Sequence, residues 1–177
     1  MRLSQFKNLI TELPINQQAF TSKLETWKKA LNSISVPDSL AALFNDAETV
    51  EISRGDIFKF SQEQPLNIAK IIFATILWGY PGGMRYDYFP SLVNGLSDLE
   101  KYLGDAKSRG NINNWQRHFS MIDGIRGLKL STYSKLLYFL DVNIEGRKPL
   151  ILDLRLIDVF QKRRFEEFYE LTSIKYY

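Results

Sequence analysis

Apolar residues recur every three or four positions along most of this chain, and that spacing predicts helices. Phe6, Ile10 and Leu13 share a face before Pro14 ends the first helix. Phe20, Leu24, Trp27 and Leu31 mark a second helix over residues 16–33. Ser35-Val36-Pro37-Asp38 reads as a turn, with Pro37 and Asp38 opening a short helix to Leu43. Between 49 and 60 the pattern is mixed: Val50, Ile52 and the run Ile57-Phe58-Lys59-Phe60 alternate like a strand around Gly55. Pro65 opens the most apolar helix, 66–78, which is apolar nearly all round and therefore central in the core. Gly79-Tyr80-Pro81-Gly82-Gly83 must end it. Phe89, Leu92, Val93, Leu96, Leu99 and Leu103 place another helix over 86–103, followed by a polar turn, 104–114. Trp115, Phe119 and Ile122 lie on the next helix, and the last two run from 132 to 142 and from 154 to about 171. The fold class expected is all-α.

Composition narrows the chemistry. The 177 residues are enough for one domain with a proper core, and 45% hydrophobic with 24% charged residues is ordinary for a soluble globular protein. There are no cysteines, so disulfides, cysteine-ligated zinc and iron–sulfur clusters are excluded, and a reducing cytoplasm is unopposed. A single histidine, His118, excludes a multi-histidine metal site and any argument for a Ser–His–Asp triad. No metal and no cofactor are expected. The amphipathic N-terminus does not read as a signal peptide, and the apolar run 68–80 is too short for a membrane span and contains Lys70. A soluble cytoplasmic protein without a membrane partner is expected. A net charge of +3 permits a polyanionic partner without demanding one.

The chemically suggestive stretch runs from Met121 to Phe160. Glycines at 124 and 127 join two helices across a few residues, and glycine allows the close backbone approach that lets successive N–H groups face an anion. Ser131 or Thr132 is a natural N-cap for the second helix, whose dipole adds to the site. Arg126 and Lys129 supply positive charge. The pattern suits a phosphate clamp, and equally an ordinary helix–turn–helix with a glycine C-cap. Asp153 follows the apolar run Leu150-Ile151-Leu152 and starts the next helix, either as a plain N-cap or as a capping carboxylate that also faces a cleft.

These residues resemble the helix-hairpin-helix (HhH-GPD) DNA glycosylase superfamily, most nearly small bacterial proteins of the 8-oxoguanine DNA glycosylase (OGG) fold. In that superfamily a Leu-Pro-Gly-Val-Gly hairpin precedes a helix, and an essential Asp follows about twenty residues later. Ile125-Arg126-Gly127-Leu128-Lys129 occupies the hairpin here, and Asp153 stands where that Asp belongs. The resemblance spans 68–160 and implies two helical lobes flanking a cleft within a single domain, 1–177. Residues 64–177 would form the core with the hairpin at 124–130, and 1–63 would complete the second lobe. It implies Asp153 as the catalytic residue, stabilising an oxocarbenium-like sugar. Gly124, Gly127, Lys129, Ser131 and Arg155 would hold DNA phosphates.

Two departures carry meaning. Lys129 replaces the second hairpin glycine, and Ser131 stands where bifunctional members carry a Schiff-base lysine. The implied activity is therefore monofunctional, with strand cleavage through Lys129 or Lys135 left open. The irregular loop with Trp78, Tyr80, Met84 and Arg85, flanked by Tyr86 and Tyr88, is the candidate base pocket or wedge, with Trp78 more readily a core residue. The expected partner is double-stranded DNA carrying a modified base, in repair or in attack on modified phage DNA. The alternative is a non-catalytic DNA-binding module that kept the hairpin and lost the chemistry.

Overall fold

The computed structural model describes residues 1–85 and 87–169, without the side chains of 121 and 122. A 3-10 turn, Leu3–Phe6, leads into α1 (Lys7–Glu12), and a second lies at Ile15–Gln17. Then come β1 (Ala19–Lys23), α2 (Leu24–Leu31), α3 (Asp38–Phe44), β2 (Thr49–Ser53) and α4 (Arg54–Phe60). The remaining elements are α5 (Ile68–Gly79), α6 (Tyr88–Asn94), α7 (Leu96–Arg109), β3 (Asn111–Ile112), α8 (Trp115–Ile122), α9 (Leu130–Phe139), β4 (Asn143–Ile144) and α10 (Leu154–Gln161), with a 3-10 turn at Glu166–Phe168. The end of the last expected helix, beyond 169, falls outside the described residues.

The protein is mostly helical, but it is not purely so. β1 pairs antiparallel with β2, Phe20 opposite Ile52, so the helix expected over 16–33 is half strand. Phe20 fits the helical spacing of Leu24, Trp27 and Leu31, yet its ring sits edge-on to Trp78 from an exposed strand. The partner strand, thirty residues away in sequence, overrides the local pattern. The ambiguous 49–60 stretch resolves into β2 and α4. Ser53 makes the switch: its Oγ accepts from Asp56 N at 3.1 Å, and Asp56 Oδ2 accepts from Ser53 N at 3.0 Å. The Ser53 hydroxyl, donating to the same carboxylate, holds Asp56 below the usual carboxylate range.

α5 is the centre of the core. Ile71, Ile72, Phe73, Ala74 and Ile76 are fully buried among α3, α4, α7, α9 and the β1–β2 ribbon. Among the described residues no helix is long and apolar enough to cross a membrane. The helix expected over 86–103 breaks at Gly95, where a Cβ would press on the Ile125 side chain at 3.2 Å. That close approach seats the hairpin on the α6–α7 junction. α7 then runs through the expected turn to Arg109 and stops at Gly110, whose φ is +67°. Lys107 Nζ bonds Leu140 O at 2.7 Å, and β3 pairs parallel with β4. These two ties close the base of the α8–hairpin–α9 unit.

Candidate active site beside the hairpin

α8 and α9 meet through the turn 123–129. α9 begins at Leu130, with Lys129 as N-cap and no side-chain cap. Ser131 and Thr132 therefore lie inside the first turn and do not cap it, a correction that matters for where they point. Gly127 is buried, its φ is +85°, and a Cβ there would lie 2.6 Å from Tyr88 Cβ. Its glycine is required by the packing of the hairpin on α6. Gly124 is exposed and has nothing near its missing side chain. Lys129 Nζ lies 3.0 Å from Asp123 Oδ1, and Arg126 pairs with Asp87. Both pairs are exposed, so each is weak and a phosphate could replace either acid.

Thr132 links the hairpin to the end of α5. Its Oγ1 lies 3.2 Å from Gly127 O and 2.8 Å from the Tyr80 hydroxyl. A carbonyl only accepts, so the Thr132 proton goes to Gly127 and Tyr80 must donate to Thr132. This fixes Tyr80 with its ring beneath the amine of Lys135, 5.4 Å from Nζ.

Lys135 is the unexpected residue of the site. Only 6% of it is exposed, and its Nζ donates to Ser131 O and Ser131 Oγ, each at 2.9 Å. Its stem crosses Gly79, where a Cβ would stand 3.3 Å from Lys135 Cδ. The helix-ending glycine thus also makes room for the lysine. Burial pushes the amine down to about 8, and the negative charge of Asp153 opposes that fall. Lys135 and Asp153 feel each other's charge without forming a direct ion pair.

Asp153 caps α10, its Oδ1 accepting from Leu156 N at 2.8 Å. The segment before it is pinned to α9, since Leu152 N donates to Ser134 Oγ at 3.0 Å. The site thus combines a half-buried carboxylate, a desolvated amine of lowered basicity and an aromatic ring, beside a glycine hairpin with exchangeable basic partners. An amine of this kind can act as a nucleophile at neutral pH, and the carboxylate can stabilise a nearby cation.

The other sequence candidates are dispersed. Trp78 is buried, its Nε1 bonded to Gln18 O at 3.0 Å and its ring edge-on to Phe139, so it offers no surface to a base. Met84 packs on the core, Arg85 and Arg155 are exposed, and Tyr86 falls outside the described residues. His118 is bonded to the Tyr133 hydroxyl, on the face of α9 opposite Lys135. No group of three or more potential metal-ligating side chains occurs among the described residues.

The sequence offered Lys135 only as one of two lysines, with Lys129, left open for strand cleavage. The signal was present in its spacing. Helical side chains lean toward the N-terminus, so a lysine four positions after Ser131 covers Ser131.

Comparison with known proteins identifies a family. The family model described as "Putative 8-oxoguanine DNA glycosylase OGG-like protein" matches residues 13–176, and the chain belongs to that family. No curated protein and no solved structure matches it.

Proposed function

We propose, from membership of this family, that the protein is a DNA glycosylase that excises a modified base from double-stranded DNA using Asp153 and Lys135 together. The observation that carries the reading is the placement of the Lys135 amine on Ser131, beside Asp153. Ser131 stands where the resemblance puts a Schiff-base lysine, and the amine reaches the same place from one helical turn further on. In this reading the neutral amine attacks C1′ of the deoxyribose while the C1′–N bond breaks. The base leaves with that electron pair and gains a proton, and the nitrogen loses one. Opening of the C1′–O4′ bond, with O4′ taking a proton, yields the imine. Loss of a C2′ proton and of the C3′ oxygen then cuts the strand. Asp153 stabilises the positive charge developing on the sugar as the base departs. Gly124, Gly127, Lys129, Ser131 and Arg155 would position the flanking phosphates, with Tyr80, Met84 and Arg85 bordering the extruded base. Since the family description names 8-oxoguanine, an oxidised purine is the first substrate to try, and repair or phage defence follows from which base is released.

The second reading is monofunctional hydrolysis, with Asp153 orienting water and Lys135 only positioning it. Borohydride separates the two. Duplexes with oxidised, alkylated, deaminated and hypermodified bases would be assayed for base release, for strand cutting without alkali, and for covalent trapping by borohydride. Trapping that disappears in Lys135→Met and persists in Lys129→Met supports the amine. Base release that survives Lys135→Met, with breaks appearing only in alkali, supports hydrolysis. DNA binding without base release across the panel would leave the non-catalytic module.

A further inference from the structure

A cavity of about 400 Å³ opens where α7 ends and α8 begins, on the side of α9 away from Lys135. Residues two apart on a helix point in nearly opposite directions, and Tyr133 faces this side as Lys135 faces the other. The volume is within the range of small-ligand sites. Its lining carries two guanidiniums, Arg109 and Arg117, against one carboxylate, Asp105. Arg109 reaches Asp105 only at 3.8 Å and is largely exposed, so that pair is loose. Among the described residues the Arg117 side chain has no hydrogen-bond or ion-pair partner.

The amides of the lining can be assigned, because Asn111 and Asn114 are each anchored by a backbone N–H that can only donate, and Asn113 is fixed through Asn111. Asn111 Oδ1 accepts from Gly146 N at 2.9 Å, so its Nδ2 is the atom that donates to Asn113 Oδ1. Asn114 Oδ1 accepts from Arg117 N at 2.9 Å as the cap of α8. The oxygens of all three amides are therefore used inside the protein, and the NH₂ groups of Asn113 and Asn114 are left over. Apart from Asp105, the side chains offer the cavity donors in excess of acceptors. Such a lining suits a ligand rich in acceptors and negatively charged.

We propose that this cavity is a second binding site, for a phosphate group, held between Arg109 and Arg117 with the amides of Asn113 and Asn114 on its oxygens. The phosphate belongs either to a free nucleotide or to the DNA backbone, and the chemistry of recognition is common to both. The site does not depend on the catalytic reading of Lys135 and Asp153.

His118 provides the test, being the only histidine in the chain and part of the lining. Burial lowers its pKa, and the charge of Arg109 lowers it further. The other titratable groups around it among the described residues are Tyr102 and Asp105 on α7, Arg117 on its own helix and Tyr133 on α9, which its ring contacts. Glu145, from the turn after β4, is engaged by the Trp115 N–H at 3.4 Å. An anion between the arginines would oppose the Arg109 field and raise the His118 pKa.

Proton NMR of the His118 ring would be followed against inorganic phosphate, a deoxynucleoside 5′-monophosphate and a short duplex. Saturable movement of the resonance and a raised pKa are expected, with affinity falling at least tenfold in Arg117→Gln and also weakened in Asn113→Ala. If the duplex moves the signal and Arg117→Gln lowers the salt slope of DNA binding by about one, the source is the DNA backbone. If the mononucleotide binds and Arg117→Gln leaves DNA affinity unchanged, the source is a free nucleotide. A resonance that none of the three moves, or that moves equally in Arg117→Gln and Arg109→Gln, overturns the proposal. The phosphate and mononucleotide titrations of His118 involve neither Lys135 nor Asp153, so failure here is distinct from failure of the glycosylase reading.

Discussion

Replacing Lys135 with methionine should make this protein more stable and inactive. The amine falls from 10.5 to about 8 on folding, a difference of roughly 2.5 pH units. At about 1.4 kcal/mol per unit, holding the charged amine in its site costs about 3 kcal/mol at pH 7. Methionine has nearly the same length and carries no charge, so it removes that cost. It also leaves the Ser131 carbonyl and hydroxyl without their donor, which takes back about 1 kcal/mol. The net gain is about 2 kcal/mol, a rise in Tm of roughly 4–8 °C for a domain of this size.

The pH dependence follows from the same shift. The folded pKa lies below the unfolded one, so between about 8 and 10.5 the unfolded chain binds more protons at Lys135. Wild-type stability therefore rises with pH across that window relative to Lys135→Met, and the advantage of the variant fades toward pH 10.5. Urea unfolding at pH 7, 8.5 and 10, beside borohydride trapping, measures both halves. A variant less stable than wild type at pH 7, or a gap that does not shrink with pH, would refute the account of Lys135 as a desolvated amine. Retained trapping would refute its role as nucleophile.

Further predictions use neighbouring residues. Asp153→Asn keeps an oxygen for Leu156 N and should cost under about 0.5 kcal/mol, whereas Asp153→Ala loses the cap and about 1 kcal/mol by thermal melts; both should lose base release. Because the Asp153 charge holds the Lys135 pKa up, the pH midpoint for trapping should sit near 8 in wild type and lower in any residual activity of Asp153→Asn. Gly127→Ala, with a left-handed backbone and Tyr88 in the way, should destabilise by about 2 kcal/mol or more, while Gly124→Ala should stay within about 0.5 kcal/mol in urea titrations. Lys129→Glu should weaken DNA binding and reduce its salt slope by about one, as seen in fluorescence anisotropy across salt concentrations.

The sequence alone determined what depends on local spacing and residue type. Helical periodicity located α5 and α8, Pro37 and Asp38 located α3, and the hairpin followed at an interval by Asp153 carried the resemblance to the family. The family match over 13–176 agrees with the resemblance drawn from those residues. Only the tertiary structure decided the rest, because the causes lie far apart in the chain. β1 is a strand since β2, Thr49–Ser53, pairs with it from beyond α2 and α3, and no property of Phe20 announces that pairing. Gly127 reads as a generic turn glycine until Tyr88 is brought against it. Lys135 has an ordinary place in an amphipathic pattern; packing against Gly79, Tyr80 and the charge of Asp153 is what removes it from water and changes its basicity. A pKa depends on everything within a few ångströms, and sequence order does not record which groups those are.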